Sequence, residues 1–170
     1  TQHLGVKPIE INSALVSAQN RKRLYWTNIP GVTQPEDKGI MLKDIVHENV
    51  DFKTSLYSRK TGLGKEIDKS TALCASDFRG LNRNQNQTSV GVLDEGYIRR
   101  LTPIECERLQ TLPDNYTAIG VIDGKEVPIS NTQRYKMLGN GWTVDVIAHI
   151  LSFIPETYLH TVVSLFDGIS

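Results

Sequence analysis

Apolar and polar positions divide the chain into stretches with different habits. Near the start, Ile9, Ile11, Ala14 and Val16 form one apolar set, and Leu24, Tyr25, Trp26 and Ile29 form a second beyond a polar interval from Ser17 to Lys22. This pattern predicts two strands around a turn, with Pro30-Gly31 and Pro35 stopping the second. "IMLKDIVHE", Ile40 to Glu48, puts Leu42, Ile45 and Val46 on one side and predicts a short amphipathic helix. Residues 51–96 lose the pattern and turn rich in Ser, Thr, Asn, Gln, Gly, Lys and Arg; "SDFRGLNRNQNQTS" is the extreme. That composition fits either a surface loop region or a loop module that contacts something polar.

Order returns at "RRLTPIECERLQTLPDNY". Thr102-Pro103-Ile104-Glu105 reads as a capping box with proline at the first helical position, Ile104, Leu109 and Leu112 supply the stripe, and Pro113 ends the helix. Asp123-Gly124 marks a hairpin tip. "SNTQRYKMLGNGWTVDVIAHILSFIP" then predicts helix, break, helix. Ser130 or Asn131 caps the first, Gly139-Asn140-Gly141 breaks it, and Val144, Ile147, Ile150, Leu151 and Ile154 carry the second to Pro155. The last ten residues, "TVVSLFDGIS", read as a buried strand (Val162, Val163, Leu165, Phe166) and the start of a loop at Asp167 to Ser170.

Composition changes this picture little. The 170 residues carry 19 Lys+Arg and 19 Asp+Glu, so only the distribution of charge can speak for a nucleic-acid partner. No apolar run approaches the ~20 residues that span a bilayer, no signal peptide is visible, and no membrane partner is expected. The chain opens on Thr1 rather than Met, which fits a fragment or a processed chain. Cys74 and Cys106 have no metal or disulfide spacing, and His3, His47, His149 and His160 are scattered. No metal site is expected, and a reducing cytoplasm is.

Three pieces bear candidate chemistry. "QNRKR", Gln19 to Arg23, fits a solvated turn, or an anion contact with one arginine held inside the fold and the other aimed at a ligand. "LGNGWTVDVI" fits a helix–helix corner, or a glycine turn whose helix offers unpaired N–H groups while Trp142 covers a flat ligand. "SLFDGIS" is a strand followed by a small turn, a weak sign of nucleotide-like binding.

Together the pieces resemble the C-terminal half of a DNA cytosine-5 methyltransferase, in particular the short, phage-like enzymes that include members of restriction-modification systems. "SAQNRKRLYW" is similar to the family's motif VIII, "RRLTPIECERLQTLPDNYT" to motif IX, "RYKMLGNGWTVDVIAHI" to motif X and "VVSLFDGIS" to motif I. Motif IX is the most specific, with many fixed residues at fixed spacing. The resemblance implies a partial α/β fold, Rossmann-like and S-adenosylmethionine-dependent, with a small target-recognition region. It divides the chain into 1–50 (end of the catalytic sheet), 51–100 (recognition) and 101–170 (return to the catalytic domain).

The resemblance implies residue roles as well. Arg23 would hold the flipped cytosine, which must leave the duplex to be reached, with Gln19 and Arg21 supporting that loop or touching phosphate. Asn140, Gly141 and Trp142 would contact the methionine part of the cofactor S-adenosyl-L-methionine, and Phe166, Asp167 and Gly168 would form the other wall. Glu105 and Arg108 would tie the motif IX helix to the recognition loops. Arg79, Asn82, Arg83, Asn84 and Gln85 would meet double-stranded DNA, by the pairing of Arg with guanine and of Asn or Gln with adenine. Lys53, Arg59, Lys60, Arg99 and Arg100 extend that basic stretch.

The pattern breaks in two places. The family's nucleophile is a cysteine after a proline, and this chain has no Pro-Cys; Cys74 and Cys106 stand in the wrong surroundings. Glu48-Asn49-Val50 spells the motif VI tripeptide but follows motif VIII, where it is a decoy. The order VIII, IX, X, I is that of a circular permutation joined at "SFIPETYLHT", or of a fragment or fusion. The expected function is methylation of carbon 5 of cytosine, with the missing half supplied by further chain. The alternative is a non-catalytic DNA-recognition subunit completing a partner that carries the cysteine. A degenerate remnant without activity is a weaker third reading.

Overall fold

β1 (Ile9–Asn12) and β2 (Lys22–Tyr25) pair antiparallel, Ile9 opposite Tyr25 and Asn12 opposite Lys22. Both are shorter than the apolar pattern suggests. The Asn12 side-chain oxygen accepts from Ala14 N at 3.1 Å and from Arg21 N at 3.0 Å. A short polar side chain bonding to local backbone competes with the strand ladder, so Ser13–Leu15 turn into a 3-10 helix and Ala14 and Val16 leave the strand. This is a computed structural model, and it describes residues 5–47, 51–58, 60, 62–81, 87–92 and 96–158. The Glu48-Asn49-Val50 tripeptide, Arg59, the Asn82–Gln85 candidates and the Phe166–Gly168 candidates lie outside those residues.

The helix expected from Ile40 reduces to a 3-10 turn, Leu42–Asp44. Asp44 Oδ2 accepts from Met41 N at 2.7 Å, and His47 N–H goes to Glu105 Oε1 at 3.2 Å instead of to a carbonyl one turn back. Leu42, Ile45 and Val46 are nevertheless buried, as their spacing requires.

Residues 51–100 differ most from the loop reading. They contain β3 (Phe52–Ser58), β4 (Gly62–Glu66), β5 (Gln87–Val92) and β6 (Tyr97–Arg100) in one antiparallel sheet ordered β4-β3-β5-β6. Its buried hydroxyls are paired. Thr54 Oγ1 donates to Ile67 O at 2.6 Å, Ser89 Oγ donates to Ser55 O at 3.1 Å, and the Thr88 and Ser70 hydroxyls lie 2.9 Å apart. Hydroxyls satisfied in this way can be buried, which is why the strands show no alternating apolar signal. A five-residue 3-10 turn, Ala75–Arg79, stands between β4 and β5.

The C-terminal elements follow their signals. α1 (Pro103–Leu109) is capped by Thr102, whose hydroxyl accepts from Glu105 N at 3.2 Å while Glu105 Oε2 accepts from Thr102 N at 2.7 Å. The helix stops before Pro113, because Thr111 adopts a φ of 56°. β7 (Ile119–Ile122) and β8 (Lys125–Pro128) form a hairpin, with Asp123 and Gly124 both at positive φ as a two-residue primed turn demands. α2 (Asn131–Asn140) is capped by Ser130, and α3 (Val144–Leu151) follows the break. The main core joins Val90, Val92, Leu101, Cys106, Leu109, Tyr135 and Leu138; a second packs Ile11 and Val16 against Val146 and Ile150 of α3.

Candidate functional site

The segment before β2 is pinned to the middle of the chain by a parallel bridge between Gln19 and Ser70. Gln19 is wholly buried, so of its two expected roles loop support fits and phosphate contact does not. Its Oε1 accepts from Leu73 N at 2.8 Å and its Nε2 donates to Leu109 O at 3.2 Å. Arg21 is 5% exposed. Its guanidinium donates to Leu73 O at 2.8 Å, Gly139 O at 3.2 Å and Gly141 O at 3.0 Å. Both residues therefore brace backbone, and neither is free to meet a phosphate. Burial and the neighbouring Arg23 lower the Arg21 pKa from its ordinary value.

Arg23 lies two residues on, within β2 and beyond that carbonyl cage. It is exposed, and its Nη1 donates to the adjacent Lys22 O at 2.9 Å. It borders an opening of about 830 Å³ lined also by Leu24, Trp26, Asn140, Trp142 and Leu151, with the edge of the buried Arg21 at its base. Trp142, 58% exposed, also borders a smaller apolar opening of about 400 Å³ with Leu112, Tyr116 and Val144. Asn140 is the exposed last residue of α2. Gly141 turns its carbonyl inward to Arg21.

Of the two readings of this corner, the open α3 N-terminus fails and the helix–helix corner stands: Val144 N donates to Gln110 O at 2.9 Å and Asp145 N to Thr111 Oγ1 at 2.9 Å. The start of α3 is thus closed by the two residues that follow α1. Gln110, to which the sequence assigns no role, organises the junction. It is fully buried, donates from Nε2 to Leu138 O at 2.6 Å, and its Oε1 lies 3.0 Å from the Thr143 hydroxyl.

A second buried centre was also missed. Glu107 of α1 has no exposure; its Oε1 accepts from Arg134 Nη2 at 2.8 Å, from Thr117 N at 2.8 Å and from the Thr117 hydroxyl, and its Oε2 from Asn115 N at 2.7 Å. Burial alone would raise its pKa, but these donors outweigh burial and lower it. The available signal was a glutamate among buried helix positions with an arginine at a buried position of α2.

In the recognition segment, Arg79 is exposed and stacks 5.6 Å from the Phe78 ring centre. Arg99 and Arg100 are not outward-facing cations. Arg99 forms a two-pronged pair with Glu105, 2.8 Å on each side, and Arg100 donates to Asp77 O at 3.1 Å and Phe78 O at 2.6 Å while stacking 4.3 Å from the Tyr135 ring. The Glu105 pair joins α1 to β6. Arg108 instead holds Asp114 (2.6 and 2.7 Å) and Ile45 O (2.8 Å).

Against known proteins, the pattern of the C-5 cytosine-specific DNA methylase family matches residues 27–156. The chain belongs to that family. A relative, the orphan methyltransferase M.SPRI of Bacillus phage SPR, is 36% identical over 145 residues, covering 61% of this chain and 32% of that protein. The orphan methyltransferase M.SPBetaI of Bacillus phage SPbeta is 34% identical over 77 residues, 45% of this chain and 16% of that one. The chain thus spans a third or less of the length of these relatives. The solved structure of a methyltransferase from Entamoeba histolytica, EhMeth, shares the fold with a TM-score of 0.57 at 18% identity, over 87% of this chain and 52% of that one. The mixed α/β arrangement is accordingly a methyltransferase fold.

The methylase match contains the motif IX and X segments, Arg79, Asn140, Gly141 and Trp142; Gln19, Arg21, Arg23 and the Phe166–Gly168 segment fall outside it. Burial and Asp77 push the Cys74 thiol up, and burial pushes Cys106 well above its ordinary range, opposite to the lowered pKa of a reactive thiol. Among the described residues no helix is long and apolar enough to cross a membrane, and no cluster of His, Cys, Asp and Glu could hold a metal ion.

Proposed function

We propose that this chain is the target-recognition and cofactor-wall portion of an enzyme that methylates carbon 5 of cytosine in double-stranded DNA. The family match carries the reading, and the division of labour between Arg21 and Arg23 gives it a mechanism. Arg21 spends its donors on three carbonyls and fixes the loop. Arg23, left at the mouth of the larger opening, would then point a fixed positive donor at the extruded base. A preorganised cation near developing negative charge stabilises it without reorganisation.

S-adenosylmethionine would supply the methyl group. The corner fits one wall for it: Trp142 presents a flat exposed ring, Asn140 an exposed amide, and Leu112, Tyr116 and Val144 an apolar floor. No carboxylate lines either opening among the described residues, so ribose hydroxyls would need acceptors from elsewhere. Phe166, Asp167 and Gly168 belong to the reading on sequence alone, as do the permuted motif order and a cytoplasmic setting. The cysteine that adds to the ring would come from outside these 170 residues. Absence of a Pro-Cys here favours the second reading, a recognition subunit completing a partner chain, as much as further chain beyond Ser170.

The test is methyl transfer from radiolabelled cofactor to duplex DNA, by the chain alone and with the nucleophile-bearing half of a phage relative. No product alone and product on addition is the expected result. Product from the chain alone overturns the assignment of the nucleophile, and none in either case overturns the enzyme reading. In the completed enzyme, Trp142→Ala should weaken cofactor binding first, measured by isothermal titration.

A further inference from the structure

Phe78 sits in the 3-10 turn Ala75–Arg79, and that turn is clamped in place from two sides. Toward α2 it presses on Gly139, where an added Cβ would fall 2.2 Å from Ala75 N and Cys74 C; only glycine permits so close a backbone approach. From β6, Arg100 holds the Asp77 and Phe78 carbonyls at 3.1 and 2.6 Å. Onto this fixed ring two cations converge from different elements. The Arg79 guanidinium lies 5.6 Å from the ring centre, and Lys136 Nζ of α2 lies 5.2 Å from it. Both residues are exposed, and neither has an acidic partner among the described residues. Asp77, the nearest acid in sequence, turns Oδ2 back to Cys74 N at 2.9 Å.

Two like charges brought to one aromatic ring repel each other, and cation–π attraction at an exposed site offsets only about 0.5–1 kcal/mol for each. An anion shared between them relieves the repulsion. We propose that Arg79 and Lys136, braced by Phe78, form a clamp for the backbone phosphates of duplex DNA, so that α2 contacts DNA with one side while its C-terminal end borders the opening beside Arg23. This rests on the methyltransferase reading and revises one part of it, since Arg79 becomes a positioning contact instead of a base reader. A base-reading arginine extends both terminal nitrogens toward a guanine edge, whereas Arg79 lies against a ring that a lysine also approaches, and lysine is a point-charge phosphate binder. The clamp links the recognition segment to the helix that ends at Asn140, which is where a duplex must be held in register for a base to reach the opening.

The test is binding of the 170-residue chain to two labelled duplexes of different sequence, read by fluorescence anisotropy from about 50 to 200 mM salt. Lys136→Gln and Arg79→Gln should each lower the slope of log affinity against log salt by roughly 0.9, equally on both duplexes. Lys136→Arg should keep the parent slope, and so should Lys125→Gln at the distant hairpin tip. Parent slopes in both glutamine variants overturn the clamp. Loss of affinity in Arg79→Gln on one duplex alone makes Arg79 a base reader and also overturns it. Displacement of DNA by inorganic phosphate at matched ionic strength marks a free-phosphate site and overturns the duplex assignment. A parent chain that binds neither duplex takes the DNA reading down as well, and that distinguishes the two failures.

Discussion

The buried junction beneath β2 and the opening directly above it use the same residue types to opposite ends. In the junction, Gln19, Arg21, Gln110 and Thr143 are almost without exposure and bond to backbone or to one another. In the opening, Arg23, Asn140 and Trp142 stand in solvent beside Leu24 and Leu151, which are each half exposed. A buried polar group without a partner costs about 1–3 kcal/mol, so the junction is fixed by folding. Exposed cation, amide and apolar surface gain nothing from folding, and their grouping makes sense only against something else. Two arginines two residues apart thus separate a scaffold role from a contact role.

Substitutions at the two levels should diverge most for stability. Glu107→Ala, which leaves the buried Arg134 without its carboxylate, should cost about 3–5 kcal/mol, and Arg21→Ala, which takes its donors from the Leu73 and Gly139 carbonyls and leaves Gly141 O only a 3.4 Å bond from Gln110, about 3 kcal/mol; urea unfolding measures both. In an enzyme completed with its missing half, Arg23→Ala should cut single-turnover methylation on the order of 100-fold while cofactor titration stays near the parent value. Parent turnover there would reduce Arg23 to a surface residue and erase the contrast. Acid should act on the scaffold alone. The folded pKa of Glu107 is depressed, so its contribution is present above its unfolded pKa and is lost as pH falls through the folded one. Urea midpoints at successively lower pH should fall for the parent, and fall less steeply for Glu107→Gln. The smallest effect belongs to the open side: Trp142→Ala and Leu151→Ser should shift stability by no more than about 0.5 kcal/mol.

Much of the chain was legible where local chemistry decides structure. The Thr102 capping box, the Asp123-Gly124 turn and the Ser130 cap each act within four residues, and each formed. Illegible parts depend on partners far along the chain. Strands β3 and β5 hide Thr54, Ser55, Thr88 and Ser89 because hydroxyl partners wait across the sheet, and a polar strand reads as loop until that sheet is known. The helix expected from Ile40 lost His47 to a carboxylate of α1. At the site, motif likeness names Gln19 and Arg23 together, and the two look equally polar in sequence. Depth separates them, and depth comes from the Leu73 and Leu109 backbone, more than fifty residues away.

The reach of Arg21 has a kinetic consequence. Its three acceptors lie 52, 118 and 120 residues along the chain, so the side chain can close its contacts only after nearly the whole polypeptide has collapsed around it. Contacts of such long range demand the greatest loop-closure entropy and form late. The guanidinium should therefore act as a latch and not as a nucleus. Replacing it should leave the refolding rate nearly unchanged and speed unfolding, so that the lifetime of the native junction, more than the ease of reaching it, is written in one arginine.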